Sequence, residues 1–564
     1  MKNLKQYSKF LTCSLVFLGY LSIRVEAQAY NEPFRPQYHY SPAKNWINDP
    51  NGLVQDKSGT YHMFYQYNPQ GDQHAHMNWG HATSPDLVHW QEQGVALEEA
   101  DGVQIFSGSG VVDYNNTSGF QNVFLAEQQP PIVLIYTASN DTEQNQNLAY
   151  SLDGGQTFTK YANNPVLRIP NIQNFRDPKV FWYGEGQKWV MLVAQSNVEQ
   201  INFYASPNLI DWKFTGYFNV DTTIGLPVWE CPDLFFITCP LTGLQKWILI
   251  VNMNPGGYQQ GSGAKYFLGN FDGDTFTAED PTRTEDYVDY GSDSYAMTSF
   301  STINDRGIIY RKMVLAWMSN WNYASKLPTS PWRGQMTVPR DLKLYIYTFF
   351  NKPENQTYKF FLSNTPNRDH SLNLLQPPQP SSKVLNITNN KANLTSLNQQ
   401  IKTFLTQNNN PELLQIVINF TKPVGDFDFG LYVRSNYKND PLSNETRRTV
   451  IGVKRNNTIV VDRSQSGNTL DTDDFKLQKD IKIEWDTYNE RWGKMEILLD
   501  KSSMEAFFFA WLSVTELIFP DDNARGVEIW ASDMTKVGVD WMYIAVLDSA
   551  WKTQTLTDPQ SFLN

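Results

Sequence analysis

Five short motifs recur along the first half of the chain at intervals that few architectures accommodate. They are Trp46-Ile47-Asn48-Asp49-Pro50-Asn51-Gly52, Phe106-Ser107-Gly108-Ser109, Asn174-Phe175-Arg176-Asp177-Pro178, Val228-Trp229-Glu230-Cys231-Pro232 and Asp289-Tyr290-Gly291-Ser292-Asp293-Ser294-Tyr295. Counted from Asp49 through Ser107, Asp177 and Glu230 to Asp293, the steps are 58, 70, 53 and 63 residues. Each step holds four short strands and their turns, so five such units predict a five-bladed β-propeller with one motif on the innermost strand of each blade. Residues distant in sequence would then converge on one central channel. Taken alone, Asp49-Pro50-Asn51-Gly52 reads as a turn, with an Asx start, a Pro of preset φ and a Gly. Loosely spaced turns in another all-β fold would also give similar intervals. What favours a site is that Asp49, Asp177 and Glu230 are each followed by Pro or Cys-Pro, three acids in matching settings.

A second, weaker repeat supports the same division. Ser84-Pro85-Asp86-Leu87-Val88-His89-Trp90, Ser151-Leu152-Asp153-Gly154-Gly155-Gln156-Thr157-Phe158, Ser206-Pro207-Asn208-Leu209-Ile210-Asp211-Trp212 and Asn270-Phe271-Asp272-Gly273-Asp274-Thr275-Phe276 each place an aromatic residue after a polar turn. From residue 50 to about 340, aromatic and β-branched runs alternate with Gly, Asn, Asp and Pro clusters, without sustained helical periodicity. The expected organisation is a propeller over 30–345 and a polar linker over 346–380 that ends in Leu374-Leu375-Gln376-Pro377-Pro378-Gln379-Pro380. A second all-β domain of sandwich type follows over 381–564. No chemical constellation appears in that second domain.

The chain has 564 residues, ample for a catalytic domain and a second domain. A formal net charge of −12 disfavours nucleic acid as a partner. Lys2, Lys5 and Lys9 precede an apolar run from Phe10 to Ile23, and Val25-Glu26-Ala27 follows, so residues 1–27 read as a cleaved secretory signal. The run is too short for a membrane anchor, and no membrane partner is expected. Nine Asn-x-Ser/Thr sequons (Asn115, Asn116, Asn140, Asn355, Asn386, Asn393, Asn419, Asn444, Asn456) agree with a secreted, extracellular glycoprotein. Loss of Cys13 with the signal would leave Cys231 and Cys239, whose pairing the sequence leaves open.

Glycosidic cleavage needs a proton donor and, in retaining enzymes, a second carboxylate as nucleophile. One acid must stay ionised and the other protonated, so their surroundings must differ. Asn48 and nearby backbone amides are expected to favour the Asp49 anion. Glu230, flanked by Trp229 and close to other acids, sits where burial and like charge favour the protonated form. Asp177, beside Arg176, is expected to stay ionised and to stabilise a cationic transition state. Aromatic residues, 14% of the chain, would line a cleft suited to sugars. A catalytic metal is the rival reading, since His74, His76, His81 and His89 cluster near the first motif; no ligand set of standard spacing accompanies them, and neither metal nor cofactor is expected. No Gly-x-Ser-x-Gly elbow marks a serine nucleophile, which leaves Ser107 for substrate binding.

Together with Phe64-Tyr65-Gln66-Tyr67-Asn68-Pro69, Trp79-Gly80-His81-Ala82-Thr83-Ser84 and Trp317-Met318-Ser319-Asn320-Trp321, these motifs resemble, in order, those of the invertase and exo-inulinase family, glycoside hydrolase family 32. The resemblance implies a propeller followed by a sandwich and a retaining β-fructofuranosidase acting on sucrose or inulin-type fructans. It also implies Asp49 as nucleophile, Glu230 as acid/base, Asp177 as transition-state stabiliser, and Asn48, Gln66, Phe106, Ser107, Arg176 and Trp317 as fructosyl-binding residues. Two departures stand out. His74 occupies a place where family members often carry Trp, and Phe508-Phe509-Ala510-Trp511 replaces the usual Asn/Gly turn after Asp500 to Phe507, residues that disfavour a tight primed turn. Two alternative functions are a fructosyltransferase and a non-catalytic sugar-binding propeller; the intact acid trio argues against the latter.

Overall fold

The repeated polar turns prove to be one local device used four times. Asp86 Oδ1 accepts from the Val88 and His89 amides, Asp153 Oδ1 from Gln156 and Thr157, Asn208 Oδ1 from Ile210 and Asp211, and Asp272 Oδ1 from Asp274 and Thr275, all at 2.8–3.1 Å. A short side-chain oxygen that caps amides two to four residues on turns the chain without tertiary help. Each of these turns joins the third and fourth strands of one antiparallel sheet.

The computed structural model describes residues 30–551 except 123, 125–128, 171, 221–226, 281–285, 303–308, 349–357, 375–378, 391–393, 422–427, 437–446, 455–457, 468–471, 477, 483–491, 510 and 534–537. The expected signal segment, Cys13 and the sequons at Asn355, Asn393, Asn444 and Asn456 lie outside the described residues.

The protein is all-β: a five-bladed propeller followed by a β-sandwich. The innermost strands are Asn45–Gln55, Gln104–Val112, Phe175–Tyr183, Val228–Thr238 and Tyr295–Ser299, each at the inner side of its own sheet. Their apolar side chains pack between neighbouring sheets, because a strand buried on both faces must satisfy both. Phe64 and Trp79 of the first sheet meet Leu134 and Tyr136 of the second, Val133 meets Met191, Phe203 meets Leu249, and Ile250 meets Leu342. The ring closes where Ile47 and Met63 meet Phe300 and Leu315, and where Trp332–Arg333 adds to the first sheet in parallel, opposite Asn45 and Trp46. The sandwich pairs a six-stranded with a five-stranded sheet around Ile416, Leu431, Ile497 and Ile529.

Three differences from the sequence reading follow. Strand Tyr358–Pro366 lies inside the span taken for a linker, yet it pairs with Arg340–Thr348 and completes the fifth blade, and helix Arg368–Leu374 follows directly. A 14-residue helix, Leu394–Gln407, covers the sandwich and buries Leu394, Leu397, Ile401, Phe404 and Leu405, a helical stripe among polar residues. Its Asn398 exchanges hydrogen bonds with the backbone of Ile529 at 2.7 and 2.8 Å. The hairpin between Ser503–Phe508 and Leu512–Leu517 turns through three residues, with Phe509 at φ +57°, and Trp511 rests edge-on against Phe361 of the fifth blade. The connection is thus longer than the tight primed turn that its residue types disfavour.

Candidate active site

All five inner strands break their ladder at the same level. Register shifts fall between Ile47 and Pro50, between Phe106 and Gly108, between Arg176 and Lys179, between Glu230 and Asp233, and between Tyr295 and Thr298. A β-bulge inserts a residue and re-aims its neighbours, so five bulges at one height turn five side chains toward the axis. Pro178 and Pro232 occupy the broken positions, where a missing N–H costs no ladder bond, and Pro50 stands where the first ladder resumes, opposite Tyr65. Asp177, Cys231 and Ala296 adopt φ of +64°, +43° and +51°, conformations that cost roughly 1–3 kcal/mol each for residues with a Cβ.

The side chains meet as one network. Asp49 accepts from Ser107 Oγ at 2.6 Å on Oδ2 and from Asn48 Nδ2 at 3.1 Å on Oδ1; Asn48 is itself held by Trp46 Nε1 at 2.8 Å. Glu230 Oε1 accepts two bonds from Arg176, Nε at 3.1 Å and Nη2 at 2.7 Å, while the Tyr295 hydroxyl donates a short bond to Oε2. Asp177 Oδ2 accepts the Cys231 amide at 3.0 Å and lies 3.9 Å from Arg176 Nε. The Cys231 thiol touches both remaining acids, at 3.5 Å from Asp49 and 3.7 Å from Asp177. Glu230 and Asp177 thus share one guanidinium, while Asp49, linked to Asp177 through the Cys231 thiol, is held by neutral donors.

Their electrostatics follow from that imbalance. Burial pushes the Asp49 carboxyl above the usual aspartate range and Glu230 adds to it, while Ser107, Asn48 and Cys231 pull the other way. Those donors are side chains, not the backbone amides expected from sequence. Asp177 also departs from expectation: burial raises it, Arg176 only partly offsets this, and Glu230 and Asp49 add repulsion. Trp229, expected to desolvate Glu230, packs instead with Phe218 and Phe267 between two blades. Glu230 is held by Arg176 and Tyr295.

The fifth motif contributes differently as well. Asp293, expected at the channel, pairs with Arg463 of the sandwich at 2.5 Å, and Tyr295 two residues later takes the channel position. Phe106 and Trp317 pack with Trp46, Cys231 and Tyr295 around the network, and Trp317 is fully buried behind Trp46 and Trp321. Gln66 stands one layer back, where its amide donates to the Ile105 carbonyl at 3.0 Å and braces the Phe106-Ser107 bulge. The histidines disperse: His81 stacks on Phe64 and His62, His76 faces Glu99 and His89 pairs with Asp86. Among the described residues no group of three or more His, Cys, Asp or Glu is placed to hold a metal ion.

Residues 39–358 match the N-terminal domain of glycosyl hydrolases family 32, and residues 374–542 match the family's C-terminal domain. The chain belongs to glycosyl hydrolase family 32. It is 38% identical to a levanase of Bacillus subtilis over 96% of this chain and 74% of the relative. It is 35% identical to an extracellular exo-inulinase of Aspergillus niger over 88% and 91%. Among solved structures, an exo-inulinase from Aspergillus awamori superposes with a TM-score of 0.76 at 32% identity, covering 93% of this chain and all of that one. A fructofuranosidase from Schwanniomyces occidentalis complexed with fructose gives 0.75 at 30%, with the same coverage.

In this family 32 enzyme, sequence reasoning overlooked Tyr295, Cys231 and Trp321. Tyr295 lay within a motif already singled out, but the nearby acid drew the assignment. Both Cys231 and Cys239 are buried free thiols. His74 stands at the mouth, open to solvent but walled edge-on by Trp46 at 6.0 Å and Trp321 at 5.2 Å. Those walls depress its basicity, although Asp49 and Glu230 oppose the effect.

Proposed function

We propose that the enzyme is a secreted, retaining exo-β-fructofuranosidase that releases terminal fructose from sucrose and from inulin-type fructans. Asp49 attacks the anomeric carbon and forms the covalent fructosyl-enzyme; Glu230 protonates the leaving oxygen and then activates water; Asp177 stabilises the oxocarbenium-like transition state. The observation that carries this reading is the contrast between two neighbouring acids. Asp49 is fixed by the neutral donors Asn48 and Ser107, whereas Glu230 is held by the Arg176 guanidinium and the Tyr295 hydroxyl. Asn48, Ser107, Arg176, Phe106, Trp317 and Gln66 shape the fructosyl pocket. The basic-then-apolar N-terminus and relatives named extracellular exo-inulinases support secretion.

The test compares two variants on two substrates. Asp49→Ala removes the covalent step and loses activity on sucrose and on an activated aryl fructoside alike. Glu230→Ala loses sucrose hydrolysis but still forms the intermediate from the activated substrate, and azide restores its turnover. Equal losses on both substrates, without azide rescue, would show that Glu230 is not the acid/base. Fructose release from sucrose and inulin side by side ranks the substrates, and product analysis at high sucrose measures transfer against hydrolysis.

A further inference from the structure

Glu230 keeps the same partners only while the Tyr295 hydroxyl stays where it is, and Tyr295 begins its strand straight out of the segment Asp289 to Ser294. That segment belongs to the propeller by sequence, yet besides bonds to Arg340, Asn320 and Tyr323 of the propeller it makes a row of hydrogen bonds to the sandwich. The Tyr290 and Asp293 amides donate to the Ser513 and Thr515 carbonyls at 2.9 and 3.1 Å, so the segment runs along Leu512–Leu517 like an added strand. Gly291 passes so close that a Cβ there would stand 2.2 Å from the Thr515 carbonyl oxygen. Asp289 accepts from Thr515 N and Oγ1 and from Ser513 Oγ, and Glu516 accepts from Ser292.

The anchor nearest Tyr295 is Asp293. Arg463 donates to Asp293 Oδ2 at 2.5 Å, to the Leu517 carbonyl at 2.8 Å and to the Tyr323 hydroxyl at 2.7 Å, and Tyr323 returns a bond to Asp293 Oδ1 at 2.5 Å. The guanidinium lies 3.8 Å from the Phe475 ring centroid, and its Nε donates to the Phe475 carbonyl, so it has one place to be. Glu516, 2.9 Å from Arg463, and Lys479, bonded to Ser292, complete the charges around it, with Asp474 beyond Lys479. At the other end of the relay, the charged and titratable groups facing Glu230 are Arg176 and Asp177 of the third inner strand, Asp49 of the first, Cys231 of its own, Tyr295 of the fifth and His74 at the mouth.

We propose that Arg463 of the sandwich is a positioning residue for catalysis: through Asp293 it fixes the Tyr295 hydroxyl against Glu230 and so sets the protonation balance of the acid/base. This rests on the assignment of Glu230 as acid/base above. The physical step is short. A hydroxyl aimed at a carboxylate oxygen favours the ionised form, and letting that donor drift raises the pH at which the group gives up its proton. The sandwich thereby tunes the reaction without touching substrate.

The test reads the kcat/KM–pH profile on sucrose for Asp293→Asn, Arg463→Lys, Tyr295→Phe and the double variant Asp293→Asn/Tyr295→Phe, with melting temperatures throughout. Arg434→Met serves as the control, since Arg434 is an equally buried sandwich arginine that bonds to the Glu412 and Asp500 carbonyls instead. Asp293→Asn and Arg463→Lys are expected to move the basic limb upward by roughly half a pH unit or more, Tyr295→Phe by at least as much, and the double variant no further than Tyr295→Phe. If Arg463→Lys fails to fold, Asp293→Asn, which keeps its shape, carries the test. The proposal is overturned if Asp293→Asn only lowers the melting temperature, as Arg434→Met does, with the wild-type profile retained, or if its shift persists in full without the Tyr295 hydroxyl. A Tyr295→Phe variant whose limb does not move would instead remove the Glu230 assignment, and the coupling with it.

Discussion

Around Arg340, in the contact between propeller and sandwich, three buried acids meet two cations, Arg340 and His39; in the channel, Glu230 and Asp177 share Arg176, while Asp49 is held by neutral donors. Arg340 bonds Asp289 at 2.7 Å and Glu505 at 2.9 Å, and His39 lies between Asp500 at 2.8 Å and Glu505 at 3.1 Å. Burial would discharge His39, but its hydrogen bonds to Asp500 and Glu505 outweigh that and lift it to about 9. Burial likewise opposes ionisation of Asp500 and Glu505, yet His39, and for Glu505 chiefly Arg340, hold both below the usual carboxylate range. In the channel the balance reverses, and Asp49 and Asp177 are both pushed up. Asp177 is buried as Asp500 and Glu505 are, yet it is pushed the other way, so depth alone does not separate structural charge from chemical charge. Compensation does.

The sharpest break between the clusters is expected in activity. Asp49→Ala should lower kcat/KM on sucrose by about four orders of magnitude or more while the protein stays folded, as measured by initial rates and circular dichroism. Glu505→Gln should do the converse. It leaves Arg340 and His39 short of a partner and should cost about 3–5 kcal/mol in denaturant unfolding, with little change in kcat of the folded fraction. A Glu505→Gln protein as stable as wild type would dissolve the distinction.

A smaller effect tests the sign. The carboxyl of Asp177 titrates higher in the folded chain than in the unfolded one, so its ionisation above that raised value costs stability. Asp177→Asn should therefore melt above wild type at neutral pH, by about 0.5–2 kcal/mol, and the gain should vanish as pH falls and wild type takes up the proton. His39 predicts a slope of the same sign at higher pH. Raised in the folded state, it contributes stability that is complete below its ordinary value and lost as pH climbs through about 9.

How much of this was legible follows from the range over which each feature is decided. The Asx turns at Asp86, Asp153, Asn208 and Asp272 were readable because donor and acceptor lie within four residues. So was the count of five blades, since the motifs from Asp49 to Asp293 recur at steps that each hold four short strands. The helix Leu394–Gln407 had its apolar stripe in plain view, but the surrounding strand pattern drew attention from it. What no window of sequence contains is which of Asp293 and Tyr295 faces the channel. That was decided by Arg463, 170 residues along the chain, because a buried carboxylate goes where a cation can meet it. The same holds for the titration of Asp49 and Asp177. Residue type made them acids, but burial and the count of charges gathered by five separate strands decided when they ionise, and those are properties of the assembled ring alone.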